Sequence, residues 1–409
     1  MRIGVVLLLA LATLAVLTGC TANGPLAPAN TPTPKKQTPT PSSSPSPTPS
    51  PTMEASPSPT SAPSPIEVPA WAQLHATCGG QPAAAEAVLQ LQGAPNPILA
   101  DVTDAKNPRT LCGISGGNFS PSLVTQTMIS WYASQGSPGA SGTSVIAVLD
   151  LFTGTSTVAA SWSGGGFMDG LHAWSPDRGF LAYVASDQAA VNLHVLSGGG
   201  DRVVATFGPV PGRGFNPNED DSYLAFSPDG AYFALVQTFT SSGDQLQVRR
   251  TIDGSLAFSL ARGTMASWGT AGSRLYFRQP ASTQIQVWDS ASGVAQAFGQ
   301  AVSWIRPRAD AGDDNLAFTV RDSAGTPHVW LYGHGGRSGG PLPNVRSSPA
   351  WLNGTSFFYV EEAPCGTNCG IGPAWQPDGK TFTNEVGGAS ETASHIAQVF
   401  GAWPRPGQT

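Results

Sequence analysis

Lysine is nearly missing: it occurs only at positions 35, 36, 106 and 380 of 409 residues, and Lys and Arg together number 20. So little positive charge, with a net charge of −6, excludes a protein that grips nucleic acid through a basic surface. Charged residues make up only 11% of the chain, too few for a coiled coil. The six His, at 75, 172, 194, 328, 334 and 395, are scattered. No window longer than about a dozen residues sustains a 3.6-residue apolar period with caps, so long amphipathic helices are excluded as well. Glycine (48), proline (37) and tryptophan (11) are plentiful, and that many Trp argue against a wholly disordered chain.

Met1-Arg2 is followed by an apolar run from Ile3 to Leu17 and then by Thr18-Gly19-Cys20. A positive start, a short apolar core and small residues make an export signal, and 15 apolar positions fall short of the ~20 a spanning helix needs. Leu17-Thr18-Gly19-Cys20 resembles the lipobox of bacterial lipoproteins. The resemblance implies a signal peptide over 1–19, acylation of Cys20 as the first mature residue, and an extracytoplasmic protein held at the membrane or envelope by lipid. The alternative is an ordinary cleaved signal in which Cys20 is incidental. Thr21 and Ala22 follow the cysteine, with no Asp of the kind that marks inner-membrane retention; one or two host membranes both stay open.

Residues 20–70 are dominated by Thr, Pro, Ser and Ala, with Thr-Pro and Ser-Pro steps from Thr31 to Pro65. A segment this poor in apolar side chains cannot offset its ordering entropy, so it reads as a disordered tether stiffened toward polyproline II. At ~3.1 Å per residue such a tether reaches at most about 150 Å.

From residue 71 to 409 short β-rich runs bounded by Gly, Pro, Asp and Asn recur as sets, and the fold class expected is all-β. One set is Leu171–Val184, Val191–Leu196 and Arg202–Thr206; the next is Leu224–Val236, Leu246–Arg250 and Leu256–Leu260. Each carries an aromatic residue and a Ser-Pro-Asp turn: Trp174, Ser175, Pro176, Asp177 in one; Phe226, Ser227, Pro228, Asp229, Gly230 in the other. Proline presets the first central φ of such a turn, Asp bonds the backbone, and Gly takes the positive φ. Fainter sets are read at 265–298, at 302–332, and at Pro349–Val360 with Lys380–Val386 and His395–Ala402. Upstream, Met128–Ala133, Ser144–Leu151 and Ser156–Ala160 form another, and Ala87–Leu91, Ile98–Val102 and Thr110–Ile114 most of one more. Trp174, Phe226, Trp268, Trp304 and Trp351 recur at spacings of 52, 42, 36 and 47, as first-strand residues that fill the space between sheets. This is the pattern of a β-propeller with four-stranded blades, seven of them, or six if the terminal sets share one. Aromatic-Ser-Pro-Asp-Gly before an apolar strand resembles the WD40-like, TolB-type propeller repeat of exported bacterial proteins. A third fragment, Trp375-Gln-Pro-Asp-Gly379, reads as keeping the turn. The resemblance implies a fold and a tendency to bind partners, and no particular activity.

Beyond Cys20 the cysteines are Cys78, Cys112, Cys365 and Cys369, an even set in an exported chain. Of the three pairings open to them, Cys78–Cys112 and Cys365–Cys369 are favoured, stapling the ring where its termini meet. Zinc is disfavoured because no second thiol pair or His cluster lies beside Cys-x₃-Cys. Weak oxygen-ligand candidates for a hard cation are Asn216, Asn218, Asp220 and Asp221, with a second acidic run at Asp310–Asn315; neither has a calcium-loop spacing, and solvated loop charge explains both. Gly-x-Ser-x-Gly occurs around Ser115 and Ser338, but no helical pattern follows either, as a nucleophile elbow requires. No catalytic residue and no cofactor is assigned.

The functional expectation is a monomeric, lipid-anchored propeller that binds or scaffolds an envelope protein or glycan, presenting loops at 134–143, 208–222 and 361–379. The alternatives are an envelope hydrolase or lyase acting on glycan or peptide at the channel mouth, and a sensory domain that modulates a membrane partner.

Overall fold

The computed structural model describes residues 66–403 except 118, 120, 136–141, 165–170, 187–189, 208–222, 238–245, 262, 270–273, 280–283, 302–307, 310–315, 322–325, 334–336, 342–345, 352–355, 365–374, 386–390 and 395. Side chains are described up to residue 298 within those limits, except 264, 265 and 284, and again at 326, 328 and 396–403.

A 3-10 turn at Ala70–Ala72 leads into β1 (His75–Cys78), β2 (Glu86–Leu91), β3 (Ile98–Asp101) and β4 (Arg109–Ser115). Strands β5 to β8 (Ser122–Thr125, Met128–Gln135, Thr143–Asp150, Ser156–Ser163) form sheet 2, and β9 to β12 (His172–Trp174, Phe180–Ser186, Val191–Ser197, Gly200–Phe207) form sheet 3. Sheet 4 is β13 to β16 (Tyr223–Phe226, Tyr232–Val236, Leu246–Arg250, Leu256–Leu260), and sheet 5 is β17 to β20 (Thr264–Trp268, Arg274–Arg278, Gln284–Asp289, Val294–Ala301). Sheet 6 is β21 to β24 (Arg308–Ala309, Leu316–Arg321, Pro327–Gly333, Arg337–Pro341), and sheet 7 is β25 to β28 (Arg346–Trp351, Ser356–Pro364, Trp375–Glu385, Glu391–Ser394). The last strand, β29 (Ile396–Trp403), returns to sheet 1, whose order is β1-β4-β3-β2-β29.

The described strands therefore make seven antiparallel sheets, six of them up-and-down meanders and sheet 1 closed by strands from both ends of the described chain. Each sheet packs on the next in chain order, and β29 lies against β5 on one side and β27 on the other. This is a β-propeller. Its cores are layers between neighbouring sheets: Val88, Leu99, Leu123, Ile129 and a fully buried Trp131 between sheets 1 and 2, and Leu193, Val195, Phe226 and Phe233 between sheets 3 and 4. Trp174, Phe226, Trp268 and Trp351 each end the first strand of their sheet, while Trp304 lies outside the described residues. Trp268 Nε1 donates to Ala225 O at 2.8 Å, tying sheet 5 to sheet 4.

Three expectations need correction. His395–Ala402 does not complete the last sheet: β28 is the fourth strand there, and Ile396–Trp403 instead pairs with Glu86–Leu91 as the inner strand of sheet 1. Trp375–Gly379 is not a turn but the start of β27, pairing with Glu362, Ala363 and Pro364 of β26. Its sequence explains why: Gln376 stands where the working turns have serine. The connections at 134–143 and 361–379 are shorter than expected, because β6 runs to Gln135, β7 starts at Thr143, β26 runs to Pro364 and β27 starts at Trp375.

The two Ser-Pro-Asp turns are built alike. Ser175 Oγ donates to Asp177 Oδ1 at 2.6 Å and accepts from Phe180 N at 2.9 Å, while Gly179 N donates to Asp177 Oδ1 at 3.0 Å. Ser227 Oγ donates to Asp229 Oδ1 at 2.6 Å and accepts from Tyr232 N at 3.0 Å, with Ala231 N on Asp229 Oδ1 at 3.0 Å. The Ser175 hydroxyl, then the Gly179 N–H, hold the Asp177 carboxyl below its ordinary range. One position differs: Gly230 sits at φ 70°, and its counterpart Arg178 sits at φ 62°, a left-handed conformation costly for a side chain. Arg178→Gly should therefore raise stability by roughly 0.5–1 kcal/mol in denaturant titrations, less than the full strain because glycine also loosens the unfolded chain.

Candidate functional site

Strand direction alternates within each sheet, so the connections from first to second strand and from third to fourth emerge on one face of the ring. Both Ser-Pro-Asp turns and the tight hairpins around Gly154, Gly254 and Gly293 lie on this face. The connections from second to third strand, and from one sheet to the next, leave the strand ends on the opposite face. Residues 136–142, 208–222 and 365–374 bridge strand ends of that second face.

A polar seam lies between sheets 2 and 3. Among the described residues its buried apolar cluster is Ile146, Ala160, Leu181, Tyr183 and Ala185, against sixteen between sheets 1 and 2. Strand register creates it: Tyr183 stands opposite His172 on β9 and His194 on β11, which lines three rings along one face of sheet 3. The column continues into sheet 2. Ring centroids are 4.8 Å apart for Tyr183 and His194, 5.4 Å for Trp162 and Tyr183, and 5.9 Å for Tyr132 and Trp162, all stacked within 29°.

Both ends of the column are hydrogen-bonded. Toward the outer strand, Asp201 Oδ2 accepts from Tyr183 Oη at 2.7 Å and from His194 Nδ1 at 2.9 Å. Burial, and then the Asp201 carboxylate, push the Tyr183 phenol well above its ordinary range, so it stays a donor. At the other end Tyr132 Oη and Ser134 Oγ both meet Ser144 Oγ at 3.1 Å, and Ser144 Oγ donates to Gly164 O at 2.7 Å. Nearer the axis, Ser130 Oγ and His172 Nε2 share a hydrogen bond of 2.7 Å across the seam. Serine and histidine at that distance are two parts of a nucleophile–base set. Ser130 is only 1% exposed, however, so in this arrangement the pair fastens two sheets together and a substrate carbonyl has no approach. The accessible chemistry is at the rim, where side chains of His194 (17% exposed) and Asp201 (40%) offer an aromatic edge beside a carboxylate.

Of the residues singled out by sequence, Cys78 and Cys112 stand opposite each other on β1 and β4 and are joined by a disulfide, S–S 2.05 Å. The two Ser-Pro-Asp turns lie on the tight-turn face. Ser115 ends β4 and Ser338 lies within β24, neither opening a helix. Cys20, Cys365, Cys369, Asn216, Asn218, Asp220, Asp221 and the Asp310–Asn315 run lie outside the described residues. The seam residues Ser130, His172, Tyr183, His194 and Asp201 were not singled out, although His172, Tyr183 and His194 fall at matching positions of three successive strands.

No protein-family model and no curated protein matches the chain. Solved structures do. One from a study of two prolyl endopeptidases is 13% identical with a TM-score of 0.52, covering 80% of this chain and 48% of the other. TolB from Acinetobacter baumannii is 17% identical with a TM-score of 0.39, covering 62% of each chain. The β-propeller domain of the trilobed protease from Pyrococcus furiosus is 8% identical with a TM-score of 0.44, covering 67% of this chain and 83% of that one. The chain thus spans about half of the prolyl endopeptidase structure and less than two thirds of TolB. At these identities the likeness is one of fold, and the fold is a β-propeller.

Proposed function

We propose that the chain is a lipid-anchored, extracytoplasmic β-propeller that binds or scaffolds another component of the cell envelope, with Cys20 as the acylated residue and residues 20–70 as its tether, the last of which, from Ile66, dock on the ring. The observation that supports this is how the ring receives the chain from its N-terminal side. Ile66 O accepts from Val158 N of β8 at 2.9 Å, Val68, Ala72 and Leu74 are buried between sheets 1 and 2, and Trp131 Nε1 donates to Ala72 O at 2.8 Å. Both β8 and β1 are outermost strands. A tether joined there pulls on the rim and leaves the two loop-bearing faces to a partner.

The test is metabolic labelling with an alkyne fatty acid together with cross-linking on the native cell. The anchored protein should take up label, sediment with membranes and capture one specific envelope component through a photo-reactive residue at Ala231 on the tight-turn face. Cys20→Ser should lose the label and the sedimentation. Unlabelled wild type would overturn the anchor, and no specific capture from Ala231 would overturn the binding face. Turnover of wall glycan or peptide by the purified chain would favour the hydrolase or lyase reading instead.

A further inference from the structure

Glu86 is the first residue of β2, the strand on which β29 closes the ring, and it is 0% exposed. On one side it faces Trp403, the last residue of β29; on the other it faces Asp101, the last of β3. Ala83 N donates to Glu86 Oε1 at 2.5 Å, while Oε2 is buried with no partner among the described residues. The carbonyl of Ala83 in turn accepts from Gln126 Nε2, in the connection between β5 and β6. One carboxyl therefore holds the 79–85 connection, and through it sheets 1 and 2, at the junction with the C-terminal strand.

The surroundings favour the neutral acid. From β3, Asp101 presents a like charge, and Arg109 of β4 is bound to Asp101 Oδ2 at 3.0 Å. In the β3–β4 connection, Asp104 is exposed and takes its donors from Lys106 N and Asn107. Trp403 of β29 and Gln126 of sheet 2 do not titrate. Burial pushes the Glu86 carboxyl from 4.5 to about 7, with the Ala83 N–H opposing and Asp101 adding to the rise.

We propose that the seam closing the ring is a proton-operated latch: with Glu86 protonated the β2–β29 junction stays shut, and loss of that proton leaves a charge buried at the start of β2 with Oε2 unpartnered, which loosens the junction. The carboxyl gives up one proton to solvent and no other covalent bond changes. This stands apart from the anchoring and partner reading above. A folded value raised above the unfolded one means that the stabilisation is complete below pH 4.5 and is lost as pH rises through about 7.

The experiment is peptide-resolved hydrogen exchange on the full chain, corrected for intrinsic rates. Opening of 86–91 and 396–403 should rise roughly thirty-fold between pH 5.5 and 8.5, while 180–186 in sheet 3 stays level. Glu86→Gln should abolish the rise. Should that variant fail to fold, Asp101→Asn removes the facing charge and should shrink the rise without ending it. Arg405, two residues past Trp403 and outside the described residues, is tested by Arg405→Ala, which should leave the rise in place. A flat profile in the wild type, an unchanged rise in Glu86→Gln, or its disappearance in Arg405→Ala would each overturn the latch.

Discussion

Replacing Cys78 and Cys112 together by alanine should lower stability by about 4 kcal/mol, the chain-entropy value for a 34-residue loop. The size of the effect follows from where the bridge sits. Among the described strands β1 pairs with β4 alone, and it is four residues long. Hydrogen bonds along so short an edge strand net about 1 kcal/mol each, so the covalent link is what keeps β1 against β4 when the segment before it is pulled. Alanine is the apt substitute because Cys112 is completely buried, and serine there would bring in a hydroxyl. In a domain of this size about 4 kcal/mol corresponds to a fall in Tm of roughly 5 °C, read by calorimetry. Dithiothreitol should move the wild type by a similar amount. Any further fall of the double variant on reduction reports the second expected bridge, Cys365–Cys369. Limited proteolysis locates the damage: new cleavage should begin within 66–85, with sheets 3 to 5 still resistant. A double variant with the wild-type Tm and cleavage pattern would show that β1 is held by pairing and packing alone.

What the sequence disclosed and what it hid divide by distance along the chain. Ser175 with Asp177 and Phe180, and Ser227 with Asp229 and Tyr232, act within five residues, so the turns and the strands beside them were readable as a repeat. Strand β5, Ser122-Leu-Val-Thr125, is too short and too plain in pattern to stand out, although Leu123 and Val124 are buried. Ile396–Trp403 has an apolar pattern that suits an outer strand of sheet 7 or an inner strand of sheet 1. Its true partner, Glu86–Leu91, lies some three hundred residues away, and nothing local to either strand names the other. The polar seam was hidden for the same reason: Ser130 and His172 are ordinary strand residues until two sheets meet. Cys78 and Cys112 were the exception, because an even set of thiols carries long-range information that apolar patterning does not.

Ending the chain at Ser394 should be the most damaging change of all, because it removes β29 and leaves sheet 1 without its inner strand. Ala87, Val88 and Leu89 of β2 are all 0% exposed with β29 in place, and Ile396 is 1% exposed. Uncovering the apolar surface that these residues and Val399, Phe400 and Ala402 share should cost more than about 5 kcal/mol, of the order of a whole domain's stability. The fit is also close. A Cβ on Gly401 would lie 3.1 Å from Leu123 N, so β29 runs flush against β5 and serves sheet 2 as well as sheet 1. The truncated chain should therefore lose its cooperative calorimetric transition and self-associate through the bare edge of β2. A synthetic peptide of residues 396–403, added in excess, should restore the transition by pairing with β2, since the closure is made by backbone pairing and packing and not by the covalent path from β28. If the truncated protein melts like the intact one, the ring is held by its sheet-to-sheet layers and β29 is an ornament. If it is damaged but the peptide fails to rescue it, the covalent connection through residue 395 is part of the closure.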